Sequence, residues 1–340
     1  MSITLSLCIP TYNRARFLPD LICSITKQYT PCIEVVIVDN GSTDTTRDLL
    51  SHLHAQYPWI SYECFLNNQG PDRSFLSTAE LAKGTFCWFL GDDDIIEDDS
   101  ISYVLSRLHD TYTGITLRRA AYDISLSKRW MEPSSLITDR IWHDSNQSIQ
   151  ELFPLLGFLS GHILHRARLH ACMTNEDLTP YYNAYSLVYL MGRMMQRDPI
   201  WQYLHRPCVG WRSGNDSFAK ELGRTNRLLL DITSYHTIIQ GLQVHSKQLS
   251  SLHACIVRTH LTGHVQDLLC QYHEPFRRKI FYAAWSRYAH TQCFWTHFLP
   301  MLLSPRWFVR SMRTLIKIFR HTSKMLHALI LHMVYSTVVY

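Results

Sequence analysis

The sequence predicts an α/β fold: a mostly parallel, doubly wound sheet flanked by helices, followed by a mainly helical C-terminal region. Three observations predict it. Over roughly the first 125 residues, short apolar runs alternate with stretches of helical spacing. One of those runs, Ile33 to Val38, is β-branched and broken only by Glu34, which suits a strand buried on both faces. From about Arg224 to Tyr288 the pattern is helical, with many His.

The elements follow in order. Ile3 to Ile9 is a short apolar run ending at Pro10, a strand. Arg14 to Gln28 places Phe17, Leu18, Leu21, Ile22 and Ile25 at helical spacing. After the strand at Ile33 to Val38, Ser42 to Asp44 offer caps for a second helix carrying Leu49, Leu50 and Leu53. Trp59 to Leu66 reads as a third strand, and Asp72 to Lys83 as a helix closed by Gly84. Thr85 to Leu90 is a fourth strand, and Ser100 to His109 a helix. The expected organisation is 1–125, 126–222, 223–303 and a tail at 304–340.

The chain has 340 residues, enough for about two domains. With 46% hydrophobic and 18% charged residues it can bury a sizeable core, which excludes a disordered or collagen-like protein. The net charge of +5 is unevenly spread. Pro275 to Tyr340 holds ten Lys/Arg and no Asp/Glu, whereas the preceding residues hold 23 Lys/Arg against 28 Asp/Glu. A mildly acidic body with a basic tail points to a polyanionic surface as the tail's partner. The ten cysteines form no Cys-x-x-Cys pair and read as free thiols of a reducing compartment. The first apolar run is too short for a secretory signal and lacks a basic start, so a cytoplasmic location is expected.

Ligands of doubly wound sheets bind outside the carboxyl ends of the strands. Polar clusters stand at all four such ends: Pro10-Thr11-Tyr12-Asn13-Arg14, Asp39-Asn40-Gly41-Ser42, Asn67-Asn68-Gln69-Gly70 and Gly91-Asp92-Asp93-Asp94. Three adjacent carboxylates repel one another, and Mg²⁺ or Mn²⁺ is the usual compensation. The plain alternative is a solvated acidic loop leading into a helix, for which Glu97, Asp98 and Asp99 are well placed. Asp39 can accept hydrogen bonds from a nucleobase or ribose, or simply cap a turn. Asn13 and Arg14 stand where the first helix is expected to begin and can hold phosphate there.

These residues resemble a family. Cys8-Ile9-Pro10-Thr11-Tyr12-Asn13-Arg14, Val38-Asp39-Asn40-Gly41-Ser42-Thr43-Asp44 and Phe89-Leu90-Gly91-Asp92-Asp93-Asp94 look like the nucleotide-sugar domain of family 2, GT-A-fold glycosyltransferases. Asn67-Asn68-Gln69-Gly70-Pro71-Asp72-Arg73 resembles the bacterial O-antigen branch that includes abequosyltransferases. The resemblance implies that Pro10, Thr11, Asn13, Arg14, Asp39, Asn67, Gly70, Asp72, Arg73 and Asp92 line the donor. It implies metal ligation by Asp93 and Asp94 as the counterpart of the family's Asp-x-Asp motif. Many members carry Asp at the position of Gly91, which leaves the register of that motif open. The implied reaction is an inverting displacement at the sugar's anomeric carbon, with a carboxylate base. Members often keep that base in an acidic pair near a helix start. Glu176-Asp177 is the nearest match, with Asp177 favoured, and a surface acidic pair is the alternative. Arg212 is expected to face the donor phosphates, or to be an ordinary turn arginine.

In the tail, Arg306, Arg310, Arg313, Lys317, Arg320 and Lys324 fall on one helical stripe, with Phe308, Met312, Leu315, Phe319 and Leu326 opposite. This is the pattern of a helix lying on anionic lipid. Met325 to Tyr340 is apolar but shorter than the ~20 residues that span a bilayer. No nucleic-acid-binding motif is present, so nucleic acid is not the expected polyanion. The expected protein is a glycosyltransferase on the cytoplasmic face of the inner membrane. It would move a sugar from a nucleotide-sugar donor to a lipid-linked glycan acceptor. The alternatives are a catalytically silent sugar-nucleotide or glycan-binding scaffold and a sugar-nucleotide nucleotidyltransferase. The latter usually carries a Gly-rich loop where this chain has Pro10-Thr11-Tyr12-Asn13.

Overall fold

Strands β1 (Leu5–Thr11), β2 (Ile33–Asp39), β3 (Ile60–Cys64) and β4 (Phe86–Phe89) form the parallel half of a ten-stranded sheet, seen here in a computed structural model. Helices α1 (Leu18–Thr26), α2 (Thr46–Gln56) and α3 (Pro71–Leu81) connect them. The structure describes residues 2–271, 276–312 and 314. Strand β1 lies between β2 and β4, paired from Leu5–Ile33 to Thr11–Asp39 on one side and from Leu5–Phe86 to Cys8–Phe89 on the other. Every residue of β1 and β2 is buried, as their apolar runs demand. Glu34, the charge inside β2, is satisfied in place: Ser6 Oγ and the Lys83 N–H each donate to its Oε1 at 2.6 Å.

The chain continues through β5 (Ile95–Ile96), α4 (Ser100–Leu105), β6 (Gly114–Tyr122), β7 (Arg129–Trp130), β8 (Arg140–Trp142), α5 (Ser145–Leu152), β9 (His162–His165), α6 (Arg166–Asn175), α7 (Ser186–Arg197) and β10 (Trp201–Arg212). The main path through the sheet is β3-β2-β1-β4-β9-β6-β10-β5. Strand β9 runs antiparallel to both β4 and β6, while β6 and β10 pair in parallel. The sheet is therefore parallel in its first half and mixed in its second, with helices flanking it. Gly114 is required where β6 meets β10, because a Cβ there would lie 2.4 Å from the Trp201 ring.

Three local features differ from the sequence expectation. The first helix begins at Leu18, not Arg14, because Asn13 adopts a left-handed conformation (φ 54°) and the chain turns before Pro19 can open the helix. Helix α3 ends at Leu81, and Gly84 does not close it: a Cβ at Gly84 would lie 2.8 Å from the Ser6 backbone nitrogen, so the glycine serves close strand approach. The helix expected to reach His109 ends at Leu105.

Further helices are α8 (Ser217–Leu222), α9 (Arg224–Gly241), α10 (Ser246–Ile256), α11 (Thr262–Gln271), α12 (Arg277–Tyr288) and α13 (Leu299–Leu303). The sheet and its flanking helices, with 233–253, make one compact unit. The second comprises Leu222–Ile232 and the described residues from Ala254 on. Inside the second unit, Tyr288 Oη donates to the Ile232 carbonyl at 2.9 Å, and buried Asp231 pairs with Arg227 and His264. Among the described residues no helix is long and apolar enough to cross a membrane. Arg313, Lys317, Arg320 and Lys324 of the basic stripe, and its apolar partners Leu315, Phe319 and Leu326, lie outside the described residues, as does the apolar end at 325–340.

Candidate active site

The four loops at the carboxyl ends of β1 to β4 are joined to one another by side-chain hydrogen bonds. Thr11 Oγ1 donates to Asp92 Oδ2 at 2.8 Å, linking the first loop to the fourth. The Asn13 N–H donates to Ser42 Oγ at 2.8 Å, and Asn13 Oδ1 accepts from the Thr43 N–H at 2.7 Å, linking the first to the second. Asn40 Nδ2 donates to Asn68 Oδ1 at 3.0 Å and to the Gly70 carbonyl at 3.1 Å, linking the second to the third. Gly41 permits that approach: with φ +75°, any Cβ would lie 2.6 Å from the Asn67 carbonyl carbon.

Asp39 closes β2 and is fully buried. Its Oδ1 accepts from the Ser42 N–H and hydroxyl, while Oδ2 is buried without a hydrogen-bond partner. A buried acceptor left unmatched is costly and marks a place where a ligand donor fits. Pro10 lies in β1 just past the point where the β1–β4 ladder stops, at Cys8 and Phe89.

The acidic triplet forms a turn between β4 and β5, closed by the Asp94 N–H donating to the Gly91 carbonyl at 3.2 Å. Its members do different work. Asp92 accepts from Thr11 and pairs with Arg14 at 3.6 Å; burial pushes its carboxyl up to about 7 against the opposing pull of Arg14, and Asp93 adds to the rise. Asp94 accepts from Ser160 Oγ at 2.5 Å and from the Arg212 N–H at 3.1 Å; burial, reinforced by Asp93, pushes it up to about 8. Asp93 is the member that solvent reaches. Its Oδ2 accepts from Asn215 Nδ2, whose own carbonyl oxygen accepts from Lys220.

A cationic cluster borders the triplet. The guanidinium groups of Arg14, Arg16 and Arg212 lie 5.4, 5.4 and 5.1 Å from the Phe17 ring centroid, and Lys220 Nζ lies 5.9 Å from it.

The remaining expected residues divide. Gly70 (φ +86°) anchors the third loop through its N–H to Asn68 and its carbonyl to Asn40, while Asn67 is exposed. Asp72, expected along the donor, is buried and spends both oxygens on chain architecture: they accept from the Ala184 and Ser186 N–H groups at 2.7 and 2.9 Å. Arg73 is exposed and pairs with Glu80 at 3.3 Å. Arg212, expected toward donor phosphates, is buried and gives its guanidinium N–H groups to the carbonyls of Asp93 and Ile124 and to the Asp20 carboxylate, each at 2.7 Å.

Glu176 accepts from Tyr189 and pairs with Arg193 and Arg197. Burial raises its pKa, but these partners outweigh that and hold it below the usual range. Asp177 is exposed and accepts from the Thr179 N–H at 3.0 Å, which also keeps its carboxyl low. Neither makes a hydrogen bond to the four loops among the described residues.

Sequence reasoning missed Phe17, Ser160 and Lys220 as parts of this arrangement. Asn215 follows Arg212 by three residues, and nothing in its local spacing ties it to Asp93.

As a metal site the donor set fits a hard divalent cation, since the solvent-reachable ligand is a carboxylate oxygen. The described residues contain no group of three or more His, Cys, Asp or Glu able to hold a metal by themselves. Such a cation would take its other oxygens from substrate and water.

A parallel half-sheet that ends in stitched polar loops, with an acidic turn after its fourth strand, is the architecture of a GT-A glycosyltransferase. The Glycosyl transferase family 2 model matches residues 6–163. The abequosyltransferase RfbV of Salmonella typhimurium is 30% identical over 265 residues, covering 72% of this chain and 77% of that one. The GalNAc(5)-diNAcBac-PP-undecaprenol beta-1,3-glucosyltransferase of Campylobacter jejuni is 31% identical over 114 residues, 33% of this chain and 36% of that one. The mannosyltransferase PcManGT from Pyrobaculum calidifontis, solved with GDP-Man and Mn²⁺, shares the fold with a TM-score of 0.53 at 12% identity, covering 93% of this chain and 88% of that one. The chain belongs to glycosyl transferase family 2, and its similarity to RfbV places it with the O-antigen abequosyltransferase-like branch.

Proposed function

We propose that this glycosyltransferase moves a sugar, with inversion, from a nucleotide-sugar donor to a lipid-linked glycan acceptor in bacterial surface polysaccharide synthesis. The observation that carries the reading is the stitched rim itself. It sets a buried, half-matched Asp39 carboxylate at one end and a solvent-reachable Asp93 beside a cationic cluster at the other. That suits a ligand with a hydrogen-bonding base and an anionic diphosphate. The C. jejuni relative's name specifies an undecaprenol-diphosphate-linked glycan, which supports a lipid-linked acceptor here.

In this reading Asp39 accepts from the base or ribose, while Pro10, Thr11 and Asn13 shape the nucleotide's path. Arg14 and Lys220 draw the diphosphate in, and Asn67 and Gly70 border it. Asp92 fixes Thr11 and Arg14. Asp93 would hold Mg²⁺ or Mn²⁺ together with substrate oxygens, supplying charge neutralisation for the leaving nucleoside diphosphate. Asp94, with both oxygens engaged, holds the turn in shape instead of serving as a second ligand. Asp72 and Arg212 act as architectural residues. The acceptor hydroxyl attacks the anomeric carbon as the bond to the phosphate oxygen breaks, and its proton passes to a carboxylate, assigned to Asp177 with Glu176 as its fixed neighbour. The basic tail at 304–340 keeps the enzyme on the anionic cytoplasmic face of the inner membrane, near such acceptors.

The test is transfer from nucleotide-sugars to a lipid-linked glycan fraction, with the anomeric configuration of the product read by NMR. The reading expects an inverted product and loss of metal-dependent turnover in Asp93→Ala. A retained configuration refutes inversion, and unchanged turnover refutes the site.

A further inference from the structure

We infer that the second unit carries a membrane-docking surface built from exposed aromatic side chains on residues 281–312, running from helix α12 into the start of the tail's amphipathic stripe at Arg306 and Arg310. Helix α12 buries Ile280, Ala284 and Tyr288, which satisfies its core face. Its other side nevertheless carries Tyr282 and Trp285 in solvent. Trp285 packs edge-on against Trp295 at 5.2 Å, and Phe281 lies against both Tyr282 and Trp285 at 5.5 and 5.4 Å. Trp295 comes from the π-helical turn Phe294–Phe298, whose own buried residues are Phe294 and Phe298. A second aromatic pair, Trp307 and Phe308 at 5.9 Å, stands on the helical segment at 306–312. Trp307 is 70% exposed, and Leu303 just before that segment is 65% exposed. Apolar exposure this concentrated marks a surface that something covers.

Charge identifies the occupant. Residues 276–312 contain Arg277, Arg278, Lys279, Arg287, Arg306 and Arg310 and no Asp or Glu. Arg278 stands on the aromatic face, 5.8 Å from the Tyr282 ring centroid, and with no acid in the segment a second copy would meet only like charge, which opposes self-association. An anionic bilayer matches both features: Trp and Tyr rings settle at the headgroup level, and Lys/Arg meet the lipid charge. Trp295 is already suited to a half-buried position, since its indole N–H donates to the Ala289 carbonyl at 2.8 Å. The inference deepens the peripheral-membrane part of the function proposed above. It assigns contact to the described helices, so its failure is separable from that of the stripe beyond Met312 and from that of the transfer reaction.

The experiment uses the full chain with vesicles of phosphatidylglycerol in phosphatidylcholine, and with phosphatidylcholine alone. Binding is read by co-sedimentation, and tryptophan depth by quenching with lipids brominated near the headgroup. The wild type binds the anionic vesicles and is quenched. The Trp285→Ser/Trp295→Ser/Trp307→Ser variant loses about tenfold or more in vesicle affinity. The Arg313→Gln/Lys317→Gln/Arg320→Gln/Lys324→Gln variant binds more weakly yet remains quenched wherever it is bound. Absence of quenching in bound wild type overturns the inference, and that result does not depend on any variant folding. So does unchanged vesicle affinity in the folded triple variant. If that variant instead loses self-association, the occupant is a second copy; if it only melts lower, the occupant is the chain itself.

Discussion

Asn215 holds the Asp93 carboxylate from 122 residues away, its amide nitrogen donating to Oδ2. The turn after β10 thus sets the orientation of the one triplet member that solvent reaches. Residues that orient a metal ligand typically matter by 10–100-fold in metal affinity. Asn215→Ala is therefore expected to weaken Mn²⁺ activation of transfer by roughly 10–100-fold while leaving the melting temperature nearly unchanged. A titration of activity against Mn²⁺ reads this directly, and an unaltered metal dependence would show that Asp93 is held without Asn215.

Asp72 offers a sharper separation between architecture and binding. Its two oxygens receive the Ala184 and Ser186 N–H groups where α7 begins. Asp72→Ala leaves those donors unmatched and is expected to lower stability by about 1–3 kcal/mol. Denaturant unfolding measures the loss, and KM for the donor should stay close to wild type in the folded fraction. A raised donor KM with unaltered stability would return Asp72 to the donor site.

Gly114→Ala tests the packing of β6 on β10. The new Cβ would stand 2.4 Å from the Trp201 ring, backed by a buried core that has no room to retreat. Overpacking of this kind costs about 1–3 kcal/mol. Chemical denaturation of Gly114→Ala alongside Gly263→Ala, where nothing lies within 4 Å of the added atom, isolates the steric part.

The pH dependence of stability has a legible source in His162. Trp201 Nε1 donates to Thr116 Oγ1 at 2.9 Å; Thr116 stands 3.3 Å from His162 Nδ1, and His162 Nε2 donates to the Leu155 carbonyl at 3.2 Å. Burial lowers the imidazole to about 4, opposed by the Leu155 bond and aided by the nearby Arg119. The unfolded chain takes up this proton near pH 6.5 and the folded one only near pH 4, so the unfolded state binds more protons between those values. The contribution is complete above pH 6.5 and is lost as pH falls toward 4, about 3 kcal/mol in all. The stability difference between wild type and His162→Gln should shrink over that window. A constant difference from pH 7 to pH 4 would contradict the buried neutral imidazole.

The first half of the fold was readable because its strands are apolar runs with a polar cluster at each carboxyl end. The second half was not. Strand β9 has four residues, too few for a period, and β10 slips register around Pro207, where His205 and Arg206 interrupt its apolar pattern. The same limit applies to the site. Asp39 and the Asp92–Asp94 turn follow strands directly, so local sequence exposes them. Ser160, Asn215 and Lys220 reach the triplet only through the returning β9 and β10 segments, and no local spacing encodes that. Asp72 and Arg212 show the same limit: a charged residue beside a motif looks like a ligand contact, and its chain partners Ala184, Ser186 and Asp20 come into view only in the fold.

The central claim, a metal-assisted nucleotide-sugar site between Asp39 and Asp93, is tested most directly by ligand-induced stabilisation. UDP-, CDP-, GDP- and dTDP-sugars would each be added with and without Mn²⁺ to the wild type and to Asp93→Ala. A ligand that binds the folded state raises the melting temperature. The account predicts a Mn²⁺-dependent rise with one nucleotide in the wild type and none in Asp93→Ala. A folded wild-type protein that no nucleotide stabilises, or an Asp93→Ala variant stabilised as fully as wild type, would contradict it.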